Sequence, residues 1–126
     1  MKKIMVVEDD PVTLKVFSVR LERAGFQVVS VADGRDVIDH VRTEMPDLLL
    51  LDMTLPGGGL QAVDMLKRLP LLAAIPFIFV TANRNPSYRE QAIKAGAVAF
   101  MEKPVNMDEL LLAIRRSLQM PVAAPV

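Results

Sequence analysis

Cysteine is absent from this chain, and histidine occurs once, at His40. Without cysteine the chain has no disulfide bonds, no thiol chemistry and no zinc site built on thiolates. A single histidine excludes metal sites with several histidine ligands, and histidine-based catalytic triads are excluded with them. Composition alone therefore rules out several common classes of catalytic and metal site.

The charges are balanced and the apolar runs are short. Lysine plus arginine number 15, aspartate plus glutamate also number 15, and the formal net charge at pH 7 is zero. A balanced chain carries no electrostatic footprint for nucleic acid. The apolar runs are far shorter than a membrane span, and the first three residues lead directly into a short apolar run and then acids, unlike a signal peptide. We therefore expect a cytoplasmic protein that binds neither nucleic acid nor a membrane.

A single domain accounts for the length of the chain. With 126 residues, of which 52% are hydrophobic, the chain is long enough to bury a substantial core and too apolar to be disordered. From Met120 onward the composition turns to proline and alanine, as in many linkers. We predict a domain over residues 1–119 and a Pro/Ala tail, or the start of a linker, over residues 120–126.

Residues 48–51 are four consecutive leucines, and Asp52 follows them directly. An uninterrupted apolar run of this kind is typical of a strand buried on both faces of a parallel sheet. Because an ionised carboxylate is costly to bury, we place Asp52 at the carboxyl end of that strand, where open α/β sheets bind their ligands. Pro56 and the three glycines after it predict a loop that can approach a ligand closely. On this stretch alone, a turn-capping role for Asp52 is equally open.

Segments that look like strands alternate with amphipathic segments along the chain. The predicted strands cover residues 4–7, 26–31, 48–51, 77–80 and 97–101. The predicted helices cover residues 11–24, residues 37–44, a segment that ends at Pro70, residues 88–95 and residues 107–118. Asp10 and Asn106 are the expected N-caps of the first and last helices, and Gly25 is the expected end of the first. Strict alternation predicts a doubly wound α/β domain with right-handed crossovers.

Polar residues close four of the predicted strands. Glu8 and Asp9 follow the first strand, Asp52 follows the third, Thr81 follows the fourth, and Lys103 comes shortly after the fifth. In a parallel sheet the carboxyl ends of all strands lie along one edge. We therefore expect three acids, one hydroxyl and one amine to converge on one site.

Those side-chain types indicate phosphoryl chemistry assisted by a metal ion. Three carboxylates suit a hard divalent cation, above all Mg²⁺, while a hydroxyl and an ammonium group suit phosphoryl oxygens. The set predicts transfer of phosphate to a carboxylate. The glycine-rich phosphate loop of nucleotide-binding proteins is missing after the first strand, where acids stand instead. Taken singly, the acids could be helix caps, the threonine a plain strand end and the lysine a solvated side chain.

Several short segments follow one another along the chain in a characteristic order. They are VEDD at 7–10, ADG at 32–34, PDLLLLD at 46–52, LP at 55–56, TA at 81–82, GA at 96–97 and KP at 103–104. In this order and spacing the chain resembles the receiver domain of bacterial two-component response regulators, and the single-domain chemotaxis type in particular, from Lys3 to Leu118. The resemblance implies a flavodoxin-like (βα)5 fold, with a five-stranded parallel sheet of order 2-1-3-4-5 and helices on both faces.

The resemblance also implies roles for the residues at the strand ends. Asp52 is expected to be the phosphoacceptor, which attacks the phosphohistidine of a cognate sensor histidine kinase or phosphotransfer protein. Asp9 is expected to bind Mg²⁺ directly and Glu8 through water, with Asp52 and the backbone carbonyl of Thr54 as further ligands. Lys103 is expected to pair with the phosphoryl oxygens. Such a chain phosphorylates itself and does not turn over an external substrate, so we do not expect an enzyme.

Thr81 and Phe100 are the expected switch residues. By the same resemblance, Thr81 swings in to hydrogen-bond a phosphoryl oxygen, and Phe100 turns inward as Thr81 moves. The signal is then read on the face of the fourth helix, fifth strand and last helix by a downstream protein, a missing output domain or a second copy of the chain. The Lys103–Pro104 peptide bond is expected to be cis, as it typically is in the family.

Three features depart from the family pattern. Leu60 stands where the family loop usually has glycine, so the path of the loop is open to change. Thr54, Ala82 and Asn83 occupy positions that tune the lifetime of the phosphoryl group, and the sequence leaves that lifetime open. Phe100 has no hydroxyl, so any switch must work through packing.

Two other functions were weighed against the receiver. A small phosphatase that uses an aspartate nucleophile needs a second acid shortly after Asp52 to protonate the leaving group, but Met53 and Thr54 stand there. A flavodoxin-like cofactor binder would hold a phosphate at the first turn, where Glu8 and Asp9 would repel it. We therefore expect a receiver domain.

Overall fold

The computed structural model describes residues 1–121 of the chain. Within them lie five strands, β1–β5: Lys3–Val7, Gln27–Val31, Leu48–Asp52, Phe77–Thr81 and Ala99–Glu102. Alternating with these are five α-helices, α1–α5: Pro11–Arg23, Val37–Glu44, Gly59–Lys67, Pro86–Ala95 and Met107–Ser117. A short 3-10 turn, Gly34–Asp36, precedes α2.

The five strands of the described residues form one parallel sheet in the order β2-β1-β3-β4-β5. This order and the helices between the strands confirm the predicted doubly wound α/β fold. Val7 lies opposite Leu51, and Asp52 lies opposite Val80, so that neighbouring strands end nearly level. Because helical crossovers join parallel strands, every strand points its carboxyl end to the same edge of the sheet.

Alternate residues of each strand face two separate apolar layers. Leu49 and Leu51 face the layer covered by α2, α3 and α4, whereas Leu48 and Leu50 face the layer covered by α1 and α5. All four side chains are at most 1% exposed. Burial of one such side chain contributes about 1.5–3 kcal/mol to stability, so β3 is firmly fixed. The prediction of a strand buried on both faces is confirmed.

Side-chain caps begin the helices where the sequence predicted them. Asp10 accepts a hydrogen bond from the backbone N of Thr13 at 3.0 Å, and Pro11 is the first residue of α1. Asn106 caps α5 in the same way and accepts a hydrogen bond from the backbone N of Glu109 at 3.1 Å. These caps satisfy backbone N–H groups that have no partner within the helix. The side chain of Asp10 is therefore engaged in its own helix.

Some boundaries differ from the prediction. Strand β5 begins at Ala99 and not at residue 97, because Ala97 donates its backbone N–H to the carbonyl of Ala92 and so caps the C-terminal end of α4. Helix α3 ends at Lys67, before the predicted stop at Pro70. Turns cover the residues between α3 and β4. Neither difference moves the carboxyl end of a strand by more than one residue.

Helix α5 ends at Ser117, close to the predicted domain end at residue 119. Of the predicted tail over residues 120–126, residues 122–126 lie outside the part of the chain that the structure describes. Among the helices of residues 1–121, none has both the length and the apolar character that crossing a membrane requires.

Candidate functional site

The carboxyl edge of the sheet brings together residues from three strand ends. Asp52 is the last residue of β3, Glu8 directly follows β1, and Lys103 directly follows β5. The Nζ atom of Lys103 donates hydrogen bonds to Oδ2 of Asp52, at 2.8 Å, and to Oε1 of Glu8. The peptide bond between Lys103 and Pro104 is cis, as the resemblance implied.

The side chains of Glu8, Asp52 and Lys103 form an ion cluster that is almost closed to solvent. They are 1%, 7% and 19% exposed, respectively. A buried carboxylate requires a countercharge, and here one ammonium group serves two carboxylates. The cluster therefore favours a further positive charge.

Burial and Lys103 act differently on the two carboxyl groups. Burial raises the pKa of Glu8 to about 7, although the hydrogen bond from Lys103 opposes this rise. Burial would also raise the pKa of Asp52, but hydrogen bonds from Lys103 and from the backbone N of Thr54 outweigh it and lower that pKa. Burial acts to lower the pKa of Lys103, but its two carboxylate partners outweigh this and raise the pKa. Asp52 and Lys103 are thus both charged at neutral pH.

Asp9 extends the cluster into a group that could hold a metal ion. One carboxylate oxygen from each of Glu8, Asp9 and Asp52 lies within 4.8 Å of the others. The donors are all oxygens, which suits a hard divalent cation such as Mg²⁺. A cation would also offset the excess of carboxylates over ammonium groups. The residues present therefore fit a divalent cation.

Thr54 contacts Asp52 through two groups. Its backbone N and its Oγ1 donate hydrogen bonds to Oδ1 of Asp52, at 2.9 and 3.0 Å. With Lys103 on Oδ2, the carboxylate is held at both oxygen atoms. The sequence predicted the carbonyl of Thr54 as a metal ligand and its position as one that tunes the lifetime of the phosphoryl group, but it did not predict the hydrogen bond from its hydroxyl to Asp52. The available signal was the spacing, because aspartate often accepts a hydrogen bond from the residue two positions later.

The two candidate switch residues, Thr81 and Phe100, lie in neighbouring strands of the sheet. Thr81 is fully buried at the end of β4, and its Oγ1 accepts a hydrogen bond from the backbone N of Asn83 at 3.1 Å. Phe100 is half-buried in β5, and the guanidinium carbon of Arg89 lies 4.9 Å from the centre of its ring. Sequence reasoning missed Arg89, because α4 shows only a weak amphipathic pattern. Both switch candidates are thus held by neighbours other than Asp52.

Gly59, after the loop that follows β3, lies very close to the backbone of Asp52. A Cβ atom at this position would collide with the backbone carbonyl oxygen of Asp52, so only glycine fits. The family pattern placed such a glycine at position 60, where this chain has Leu60. In this chain the close approach therefore comes one residue before Leu60.

The sequence matches one family over most of its length. The family described as response regulator receiver domain matches residues 4–115. PhoB of Klebsiella pneumoniae, a phosphate regulon transcriptional regulatory protein, is 35% identical over 115 residues, which cover 90% of this chain and 50% of PhoB. The chain thus spans about half the length of the PhoB proteins that it matches. Protein PilH of Pseudomonas aeruginosa is 33% identical, and the match covers 90% of this chain and 95% of PilH.

Solved structures agree with the sequence match. The crystal structure of a CheY-like response regulator receiver domain protein from Methanospirillum hungatei JF-1 has a TM-score of 0.86 and 28% sequence identity to this chain. The match covers 94% of each chain. From its sequence, its fold and its strand order, the chain belongs to the response regulator receiver domain family of two-component signalling.

Proposed function

We propose that this receiver domain takes a phosphoryl group onto Asp52 from the phosphohistidine of a sensor histidine kinase or phosphotransfer protein. The state of Asp52 carries the proposal. It is a nearly buried carboxylate that Lys103 and Thr54 hold at both oxygen atoms, and their hydrogen bonds lower its pKa. A charged and oriented carboxylate is suited to nucleophilic attack on phosphorus.

In the transfer, a carboxylate oxygen of Asp52 attacks the phosphorus atom and forms an acyl phosphate. The P–N bond of the phosphohistidine breaks, and its electron pair leaves with the imidazole nitrogen. Lys103 would then pair with the phosphoryl oxygens. Glu8, Asp9, Asp52 and the backbone carbonyl of Thr54 would hold Mg²⁺, which neutralises charge on the incoming phosphoryl group.

Phosphorylation would change the packing of Thr81 and Phe100. The Thr81 hydroxyl would release the backbone N–H of Asn83 and donate a hydrogen bond to a phosphoryl oxygen, and the Phe100 ring would leave Arg89 and turn inward. The face formed by α4, β5 and α5 would change with it. A downstream protein, an output domain or a second copy of this chain would bind the favoured state.

In this proposal the described residues do not include the partner that receives the signal. PhoB is named as a transcriptional regulator and is about twice the length that the match covers, whereas PilH is matched over 95% of its length. Either arrangement suits a receiver, which passes its signal to an attached domain or to a separate protein. We place this signalling step in the cytoplasm.

We also propose that the chain is a switch and not an enzyme that turns over an external substrate. A phosphatase with an aspartate nucleophile needs a nearby acid to protonate the leaving group. Met53 is 4% exposed and Thr54 donates both of its hydrogen bonds to Asp52, so neither position supplies that acid.

The proposed function predicts uptake of one phosphoryl group that depends on Mg²⁺. The wild-type chain is incubated with acetyl phosphate, with Mg²⁺ or with excess chelator, and its intact mass is measured. We expect a single added phosphoryl group with Mg²⁺ and none with chelator, because the carboxylates repel the donor without a cation. Equal uptake under both conditions, or absence of uptake in a sample whose Mg²⁺ binding is seen by calorimetry, would contradict the proposal.

A cleft beside the ion cluster is suited to a protein donor. It lies between α1 and the residues that follow β5, and it has a volume of about 430 Å³. Its lining is mostly apolar and includes Val12, Val16, Phe17 and Met107, with Lys103 at the edge. An apolar cleft next to the acceptor would seat the donor protein while its phosphohistidine reaches Asp52.

Val12→Glu is therefore expected to slow phosphotransfer from protein donors but not from small donors. Val12 is 72% exposed, so the variant should fold normally, but it places a carboxylate in the apolar cleft. We expect phosphotransfer from a phosphohistidine protein that serves the wild type to slow by about tenfold or more. Uptake from acetyl phosphate should be unchanged. Val98→Glu is the matched control, since Val98 is 50% exposed and lies outside the cleft. Equal transfer rates for both variants would contradict the assignment of this cleft.

A further inference from the structure

The turn between β2 and α2 packs directly on the loop between β3 and α3. We call residues 33–36 the β2–α2 turn and residues 53–58 the β3–α3 loop. The backbone N of Gly34 donates a hydrogen bond to the carbonyl oxygen of Pro56 at 2.8 Å. Gly34 is buried, so this bond is shielded from water. The turn is thus tied to the loop that follows Asp52.

The two segments interlock too closely for a side chain at either glycine. A Cβ atom on Gly34 would lie 2.8 Å from Cδ1 of Leu55 and 3.1 Å from the carbonyl oxygen of Gly58. A Cβ atom on Gly57 would lie 2.7 Å from the backbone N of Arg35. Contacts at these distances force a neighbour to move. A shift of the turn is therefore passed to the loop.

Asp33 and Arg35 form an ion pair within the β2–α2 turn, and their side chains are 23% and 75% exposed. Oδ1 of Asp33 accepts a hydrogen bond from the backbone N of Arg35 at 2.8 Å, and Oδ2 accepts one from Nη2 of Arg35 at 2.5 Å. These bonds lower the pKa of Asp33 to about 2, so the pair stays ionised over the whole neutral range. A pair this exposed adds little stability, so the hydrogen bond from Gly34 to Pro56 is the contact that ties the turn to the loop.

The loop in turn carries Thr54, which contacts the phosphoacceptor. Thr54 is held to Asp52 at one end of the loop, and Gly59 lies against the carbonyl of Asp52 at the other. The hydrogen bond from Gly34 to Pro56 fixes the middle. The direction of the Thr54 carbonyl, a proposed Mg²⁺ ligand, therefore depends on the hydrogen bond from Gly34 to Pro56.

We propose that the β2–α2 turn is a positioning element for the metal site, and that Gly34 sets Mg²⁺ affinity by holding the β3–α3 loop. The inference rests on the proposed function, since it concerns the same metal site. Supporting groups outside the first coordination shell typically change metal affinity when they are altered. Gly34 would act only through the loop and would not itself touch the metal or the phosphoryl group.

The glycine amides offer a test without substitution. The chain has six glycines, and their backbone amide signals can be followed by NMR during a Mg²⁺ titration. We expect the Gly34 signal to move together with those of the loop glycines, and the signals of Gly25 and Gly96, at the far ends of α1 and α4, to stay. In Asp52→Asn the Gly34 response should be lost. A Gly34 signal that stays while the loop glycines move would overturn the inference.

Gly34→Ala tests the same inference by substitution. The backbone of Gly34 lies outside the left-handed region, so alanine meets only the contact with the loop. We expect Mg²⁺ affinity, measured by calorimetry, to fall by about tenfold. Ile114→Val is the matched control, because Ile114 is fully buried in α5, in the apolar layer on the opposite face of the sheet from Met53 and Leu55 of the loop. It should lose thermal stability and keep its Mg²⁺ affinity.

The outcomes separate failure of the inference from failure of the proposed function. Equal Mg²⁺ affinity in Gly34→Ala and wild type would overturn the role of the turn and leave the receiver chemistry standing. Equal losses of affinity in Gly34→Ala and Ile114→Val would show a general effect of stability and would also overturn that role. Absence of Mg²⁺ binding in the wild type would instead contradict the proposed function.

Discussion

Lys103→Met is expected to lower the free energy of unfolding by about 3 kcal/mol, the cost of leaving a buried charge without its partner. Lys103 is the ammonium group that hydrogen-bonds both Glu8 and Asp52, and those carboxylates are 1% and 7% exposed. Methionine keeps much of the length of the side chain but removes its charge. Chemical denaturation of both chains in metal-free buffer gives the difference.

Lys3→Met provides the matched control for this prediction. Lys3 also pairs with a glutamate, Glu44, at 3.1 Å, but those side chains are 22% and 36% exposed. A pair open to solvent contributes about 0–1 kcal/mol, so this variant should lose much less stability. In Lys103→Met, the further change Glu8→Gln should restore part of the loss, because it removes one of the two unpaired carboxylates. Similar losses for the two lysine variants would contradict the buried ion cluster as the source of stability.

The loss in Lys103→Met should also depend on pH. Burial already raises the pKa of Glu8 to about 7, and removal of the ammonium group raises it further. Below its folded-state pKa, Glu8 takes up a proton and one of the two facing charges disappears. The difference in stability between wild type and variant should therefore be smaller in mildly acidic buffer than in mildly alkaline buffer.

Asp52→Asn is expected to abolish phosphorylation by acetyl phosphate and by phosphohistidine proteins. The amide cannot form an acyl phosphate in place of the carboxylate, because it is a poor nucleophile. Its oxygen can still accept the hydrogen bonds that Thr54 donates to Oδ1, and Lys103 keeps Glu8 as a partner. The variant should therefore fold, and intact mass after incubation with donor and Mg²⁺ reports the result.

Asp10→Asn is the control for loss of a carboxylate near the same site. Asp10 caps α1 through the backbone N of Thr13, and asparagine caps helices about equally well. This variant should keep both its stability and its phosphorylation. Full uptake by Asp52→Asn, or a complete loss of uptake in Asp10→Asn, would show that Asp52 is not the acceptor carboxylate.

Local patterns in the sequence predicted the framework of the site. The four leucines before Asp52 could hardly form anything but a strand buried on both faces, and a carboxylate after such a strand must lie at its end. In a parallel sheet all carboxyl ends lie at one edge. Glu8 and Lys103 therefore lie at the same edge as Asp52, because each comes after a strand. The fold and the meeting of these charges were thus accessible from the order of residue types.

Contacts that depend on tertiary packing were not accessible in this way. Arg89 reaches Phe100 only through the packing of α4 beside β5. The close approach of Gly59 to the carbonyl of Asp52 depends on the path of the loop between β3 and α3. Periodicity carries no information on any of these distances.

The location of the phosphoryl group tests the central claim most directly. An acyl phosphate on aspartate is reduced by hydride to homoserine, whereas a free carboxylate and the phosphorylated forms of serine, threonine or His40 are not. The chain is treated with acetyl phosphate and Mg²⁺, then with borohydride, and its peptides are sequenced by mass spectrometry. We expect homoserine at position 52 and at no other aspartate. Homoserine elsewhere, or a phosphoryl group that survives reduction on another side chain, would contradict that claim.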